Sequence, residues 1–160
     1  NLKSYKKSLL SNSNPYTPAV NLIFALDESL KMMREEGLKN IFLRHKKHKL
    51  AMSNAAKALN LKLFADEKYL SPSITAIETG EIDAEEFRKT IKNKFDILLA
   101  GGQDHLKGKI FRVGHLGYIN DRDIITVISA ISNTLSDLGK ITAQQAGEAL
   151  EVTSRYLKGI

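Results

Sequence analysis

The feature that most constrains this chain is the stretch from Ala100 to Gly117. It holds a glycine pair, Gly101-Gly102, and then a short alternating run, Ile110-Phe111-Arg112-Val113, entered from Gly108. Side chains along a strand alternate between its two faces. Phe111 and Val113 therefore share one face, and Ile110 and Arg112 the other. An arginine set between apolar strand residues asks for an anion, because its planar fork matches a carboxylate or a phosphate at two points. The plainer reading is an arginine at a sheet edge paired to a local Asp or Glu, and the pattern alone leaves both open.

The length of 160 residues suits one domain of ordinary size, large enough for a core without staples. No apolar run approaches the roughly 20 residues that span a bilayer, so no membrane partner is expected. The opening residues Asn1-Leu2-Lys3-Ser4-Tyr5-Lys6-Lys7 are polar, unlike a signal peptide. The absence of cysteine excludes disulfides, thiolate metal sites and a cysteine nucleophile, and it fits a cytoplasmic protein. The chain opens on Asn1 rather than Met, as a processed product, a truncated chain or a piece of something longer would.

The net charge of +6 could attract nucleic acid or anionic substrates. It is uneven: Lys39, Arg44, Lys46, Lys47 and Lys49 crowd one segment, while Asp66, Glu67, Glu78, Glu81, Asp83, Glu85 and Glu86 crowd another. Runs of this kind read first as solvated helix faces.

In chain order, residues 2–10 suit a short helix, and Ser11-Asn12-Ser13-Asn14-Pro15 breaks it. Thr17 reads as an N-cap with Pro18 in the first helical position. Val20, Ile23, Phe24, Leu26, Leu30 and Met33 recur at helical spacing as a core stripe, and Gly37 is the stop. A second helix is expected from Leu38 to Leu59. His45 and His48 lie on it three apart. A zinc site needs a third ligand and none is evident, so they read as solvated histidines beside the lysine cluster. Lys62–Ala65 and Ser73–Glu78 are strand candidates, the latter with Pro72 at its start. Asp83 and Glu86 form a capping-box pattern for a helix that buries Phe87, Ile91 and Phe95. Ile97–Ala100 reads as an apolar strand running into the glycine pair. Asn120 or Asp121 caps a long helix carrying Ile124, Val127, Ile128, Ile131, Leu135 and Leu138, ended by Gly139. Thr142 and Gln145 cap a last helix.

This order gives an α+β fold: a small, mostly antiparallel sheet with helices on one face. No segment is left to cover the face that carries Arg112, so another domain or subunit is expected there. The chain has no nucleophile elbow, Walker loop or dinucleotide fingerprint. Gly101-Gly102 with Gly108 also lacks the strand-to-helix context of a phosphate loop.

Several motifs are similar to the C-terminal part of class V aminotransferases, above all the alanine–glyoxylate and serine–glyoxylate group. They are Tyr16-Thr17-Pro18-Ala19-Val20, Glu35-Glu36-Gly37-Leu38, Arg44-His45, Ala100-Gly101-Gly102-Gln103 and Gly108-Lys109-Ile110-Phe111-Arg112-Val113-Gly114-His115-Leu116-Gly117. Some relatives of that group carry the name of soluble hydrogenase small, or tritium-exchange, subunit. The resemblance runs from about Asn1 to Leu138. It divides the chain into a lead-in helix and loop (1–16), a core (17–138) and an extra C-terminal helix (140–160), all within one small domain.

The resemblance implies pyridoxal phosphate as cofactor, bound by a fold-type-I homodimer whose large domain packs on the open side of the sheet. It implies that Arg112 clamps the substrate α-carboxylate, and that Thr17 reaches the cofactor phosphate of the partner subunit. Some members add a tyrosine three residues before that threonine; here the position is Asn14, and Tyr16 is the substitute. The Schiff-base lysine and its aspartate belong to the large domain, so this chain is expected to hold no catalytic residue, to bind no cofactor alone and not to transaminate alone. The implied reaction moves an amino group from a small amino acid, alanine or serine, to a 2-oxo acid such as glyoxylate, with the cofactor ring as electron sink. The implied partners include no nucleic acid, and no metal is called for. Two other readings compete: a basic anion- or nucleic-acid-binding module, which needs aromatic rings on the open face, and a purely structural dimerisation domain.

Overall fold

A computed structural model describes residues 1–159. They form two compact units, residues 1–41 and 42–159. In the first unit, Asn1 caps helix α1 (Leu2–Leu9) by accepting the Lys3 N–H at 3.1 Å. Helix α2 (Val20–Glu36) stops at Gly37, whose φ of +80° favours glycine and whose N–H donates to the Met33 carbonyl at 2.9 Å.

Two expectations fail in this unit. Thr17 does not cap α2. Ala19 (φ −78°, ψ 65°) sits at the centre of an inverse γ-turn, in which the Val20 N–H donates to the Pro18 carbonyl at 2.9 Å. The helix therefore begins after that turn, and no side chain caps it. The apolar stripe of α2 is also not core: the helix buries none of its residues, and Leu22, Ile23 and Phe24 are 60–71% exposed. Nothing in this unit packs over them.

In the second unit, helix α3 (Leu38–Ala58) buries Ala51, Met52, Ala55 and Ala56. The sheet consists of β1 (Lys62–Leu63), β2 (Ile74–Glu78), β3 (Ala100–Gly101) and β4 (Ile110–Gly114). Its order is β1-β2-β4-β3 and every pairing is antiparallel. Thr75 faces Val113 and Ile77 faces Phe111 across β2 and β4. Ile77, Phe111 and Val113 join the core, where the Phe111 ring lies 5.2 Å from that of Phe87 on α4 (Ala84–Phe95). Ile124, Ile128, Ile131 and Leu135 of α5 (Asp121–Asp137) complete it, and α6 (Ala143–Lys158) packs on α5 through buried Ala149 and Leu157. This is the expected α+β fold.

The helix ends follow their sequence signals. Asn120 with Asp123, and Thr142 with Gln145, form reciprocal capping boxes on α5 and α6. Asp83 accepts from the N–H groups of Glu85 and Glu86, but Glu86 does not reach back and lies near Lys89 instead. The strands are shorter than expected. Of Lys62–Ala65 only Lys62–Leu63 is strand, followed by one more bond from the Phe64 N–H to the Ala76 carbonyl at 3.0 Å, and Ser73 lies outside β2. Ile97–Ala100 is not a strand; pairing starts at Ala100, because the Leu99 carbonyl is taken by a side chain of α4 rather than by a neighbouring strand. No helix among the described residues is long and apolar enough to cross a membrane.

An arginine on the uncovered face of the sheet

Arg112 sits mid-strand in β4, opposite Ala76 on one side and Ala100 on the other. Both neighbours are small, so neither walls off its guanidinium. Within the second unit the helices take the opposite face, and Arg112 is half-buried rather than sealed. Its Nε–H donates to the Gly101 carbonyl at 2.9 Å. Among the described residues no carboxylate pairs with it. Glu78, on the same face of β2, is engaged by Lys62 at 3.0 Å. Ile110 shares the Arg112 face, as alternation requires, yet it is buried. The bend after Gly102 folds over it: a Cβ on Gly102 would fall inside van der Waals contact of the Leu106 carbonyl and about 3.0 Å from the Ile110 side chain. The glycine pair is therefore a packing requirement of the bend that flanks Arg112.

At Gly101 the space is taken by side chains rather than backbone. A Cβ there would lie 2.5 Å from Arg88 Nη1 and 2.7 Å from Glu85 Oε1. Arg88 of α4 donates through Nε to the Leu99 carbonyl at 2.7 Å and through Nη1 to Glu85 at 2.8 Å. Sequence reasoning does not single out Arg88, because a helix arginine three residues from a glutamate looks like an ordinary surface pair.

The segment leaving β4 is tied down at three points. His115, fully buried, shares a hydrogen bond of 2.9 Å between Nε2 and Thr75 Oγ1. Arg44 Nη1 donates to the Gly117 and Ile119 carbonyls at 2.8 and 3.0 Å. Asp121 accepts from Lys47 at 2.8 Å and from His48 Nε2 at 2.9 Å. His48 is fully buried, so the expectation of a solvated pair fails there: an acid 73 residues further along brings the ring inside. No group of three or more His, Asp or Glu among the described residues is placed to hold a metal.

Burial lowers the His115 pKa to about 4, and the nearby Pro72 carbonyl offsets only part of this. Burial also lowers that of His48, against the raising effect of Asp121. Burial would raise the Asp121 carboxyl, but the bonds from Lys47 and His48 outweigh it and hold it below the usual range.

A cleft of about 310 Å³ opens between the Asp96–Leu99 segment and the first turns of α5. Val113 and Gly114 line it, but Arg112 does not. In the first unit, Thr17 and Tyr16 are both exposed, and neither hydroxyl has a hydrogen-bond partner among the described residues. The Tyr16 ring stands edge-on to Tyr5, centroids 6.2 Å apart.

No protein-family model matches the chain. Individual proteins do. The chain is 51% identical over 138 residues to a protein of Anabaena cylindrica named soluble hydrogenase 42 kDa subunit, covering 86% of this chain and 36% of that one. It is 32% identical over 159 residues to a serine–glyoxylate aminotransferase of Arabidopsis thaliana, covering 98% of this chain and 38% of that one. The crystal structure of a ureidoglycine–glyoxylate aminotransferase from Bacillus subtilis superposes with a TM-score of 0.82 at 31% identity, over 91% of this chain and 38% of that one. The chain thus spans well under half the length of these relatives. Its fold is that of a domain of the aminotransferases. Within them it belongs to class V, the serine– and alanine–glyoxylate aminotransferases, and corresponds to their C-terminal part.

Proposed function

We propose that this chain is the small domain of a pyridoxal-phosphate-dependent aminotransferase, and that Arg112 binds the α-carboxylate of its substrates. The observation that carries the reading is the state of that side chain. It is tethered at Nε, free of any carboxylate among the described residues, and set on a sheet face that the helices of its unit leave uncovered. The substrates are a small amino acid, alanine or serine, and a 2-oxo acid such as glyoxylate. The working enzyme is a cytoplasmic homodimer in which a large domain supplies the Schiff-base lysine and covers the open face. The catalytic lysine is not among the residues of this chain.

Two features speak against the other readings. A nucleic-acid platform needs exposed rings, and the one aromatic residue among the described strand residues, Phe111, is packed into the core. A purely structural domain gives no reason to leave an arginine half-open on a bare face.

The residues present suit the cofactor's phosphate. Thr17 and Tyr16 offer exposed hydroxyls with no hydrogen-bond partner among the described residues, as donors to a phosphate oxygen require. When bound, pyridoxal phosphate supplies a sink for the electrons left when the substrate's α-proton departs. Arg112 acts on the substrate itself. Its two outer nitrogens grip the carboxylate and fix the direction of the Cα–H bond, which removes rotational freedom before the proton moves. Loss of such a charged two-point contact costs on the order of 2–4 kcal/mol of transition-state binding. In the full-length protein, Arg112→Ala is expected to lose most amino-acid turnover while still taking up cofactor, read by the cofactor's absorbance. Unchanged steady-state kinetics in that variant would remove Arg112 from this role.

A further inference from the structure

We propose that Arg88 is a positioning residue for Arg112, acting through the edge strand β3. This rests on the reading of Arg112 given above. β3 has only two residues and a single neighbour, β4. A strand that short makes too few ladder bonds to fix its own position. Yet its Gly101 carbonyl is the acceptor that orients the Arg112 guanidinium, at 2.9 Å. The position of β3 is therefore the position of the arginine fork.

Arg88 supplies the missing restraint from the helix side. Its Nε–H holds the Leu99 carbonyl, one residue before β3, at 2.7 Å. Its Nη1 lies under Gly101, in the space that a side chain there would fill. Glu85 fixes Arg88 in turn at 2.8 Å, and the Arg88 side chain is only 22% exposed. The line of contact runs Glu85, Arg88, Leu99 and Gly101, then Arg112, and crosses the sheet from its covered face to its open one. A side chain at Gly101 would have to displace the Arg88 and Glu85 ends that make this line. Lysine could not replace Arg88 fully, because one point charge cannot hold a carbonyl and a carboxylate in the same fixed fork.

The test uses the full-length protein with L-alanine or L-serine as donor and glyoxylate as acceptor. Arg88→Met is expected to raise the KM for the amino donor about fivefold, the worth of one oriented hydrogen bond, with kcat within about twofold. In an Arg112→Ala background the same substitution is expected to add nothing, since the two residues act as one unit. Selective 15N-arginine labelling gives a second readout: the Arg112 Nε–H signal, slow to exchange in the parent, exchanges fast in Arg88→Met. Should Arg88→Met fail to fold, Glu85→Gln gives a smaller KM change in the same direction, about twofold. An unchanged KM and Nε–H signal, or the same fivefold effect without Arg112, overturns the positioning role. If Arg112→Ala alone leaves KM untouched while the Nε–H signal still depends on Arg88, the carboxylate reading fails and the positioning contact stands.

Discussion

Three arginines of the second unit show how little residue type alone decides. Arg44 spends one nitrogen on two carbonyls of the Gly117–Ile119 loop, Arg88 holds a carbonyl and a carboxylate, and Arg112 keeps its outer nitrogens clear of any carboxylate among the described residues. Alternation along Ile110–Val113 is enough to place Arg112 on the face opposite the core. The same sequence does not reveal Arg88, whose partners include a backbone carbonyl 11 residues away. The histidines carry a prediction at this scale. His115 and His48 are both easier to protonate in the unfolded chain than in the folded one, because burial disfavours their charged forms. The contribution of both is complete above the unfolded pKa near 6.5 and declines below it, that of His115 being lost as pH falls towards about 4. Asp121, also depressed when folded, acts in the same direction at lower pH. Urea unfolding at pH 7, 5.5 and 4.5 should show stability falling throughout, with His115 supplying up to about 3 kcal/mol. His115→Gln should flatten the profile; an equally steep profile in that variant would assign the loss elsewhere.

Helices and strands differ in how far their ends can be read. The ends of α5 and α6 are legible because a cap is a local event: Asn120 with Asp123 and Thr142 with Gln145 lie within one turn. The start of α2 departs from its signal because a backbone γ-turn at Ala19 competes with the Thr17 cap and wins. The length of β3 is not legible because its limit is set by Arg88, a residue of another element. The glycines give a paired test. Gly147 lies exposed in the interior of α6, and a methyl group added there would meet nothing within 4 Å. Gly147→Ala should therefore stabilise by about 0.5–1 kcal/mol, from helix propensity and unfolded-state entropy. Gly102→Ala should destabilise by about 1–3 kcal/mol, since the Leu106 backbone must move to make room. Urea midpoints of the two variants, measured beside the parent, check the opposite signs.

At the scale of the molecule, each unit leaves a face without a cover of its own. In the first, Leu22, Ile23 and Phe24 of α2 stand open; in the second, the sheet face around Ala76 and Arg112 has no helix on it. Exposed apolar surface such as that of α2 marks a face made for a partner. The relatives are more than twice as long as this chain. The 160-residue chain is expected to self-associate at high concentration, and Leu22→Glu with Phe24→Glu should reduce this in sedimentation velocity. Association that is unaltered by those changes would exclude α2 as the contact. Fold class, most helix ends and the face of Arg112 were all written in the local sequence, because they follow from caps within one turn and from a period of two along a strand. That α2 stays bare, that His48 goes inside and that Arg88 meets Gly101 came only with the packed chain. Those outcomes depend on pairs of residues distant in the chain, and burial is a property of what packs above a side chain rather than of the side chain itself.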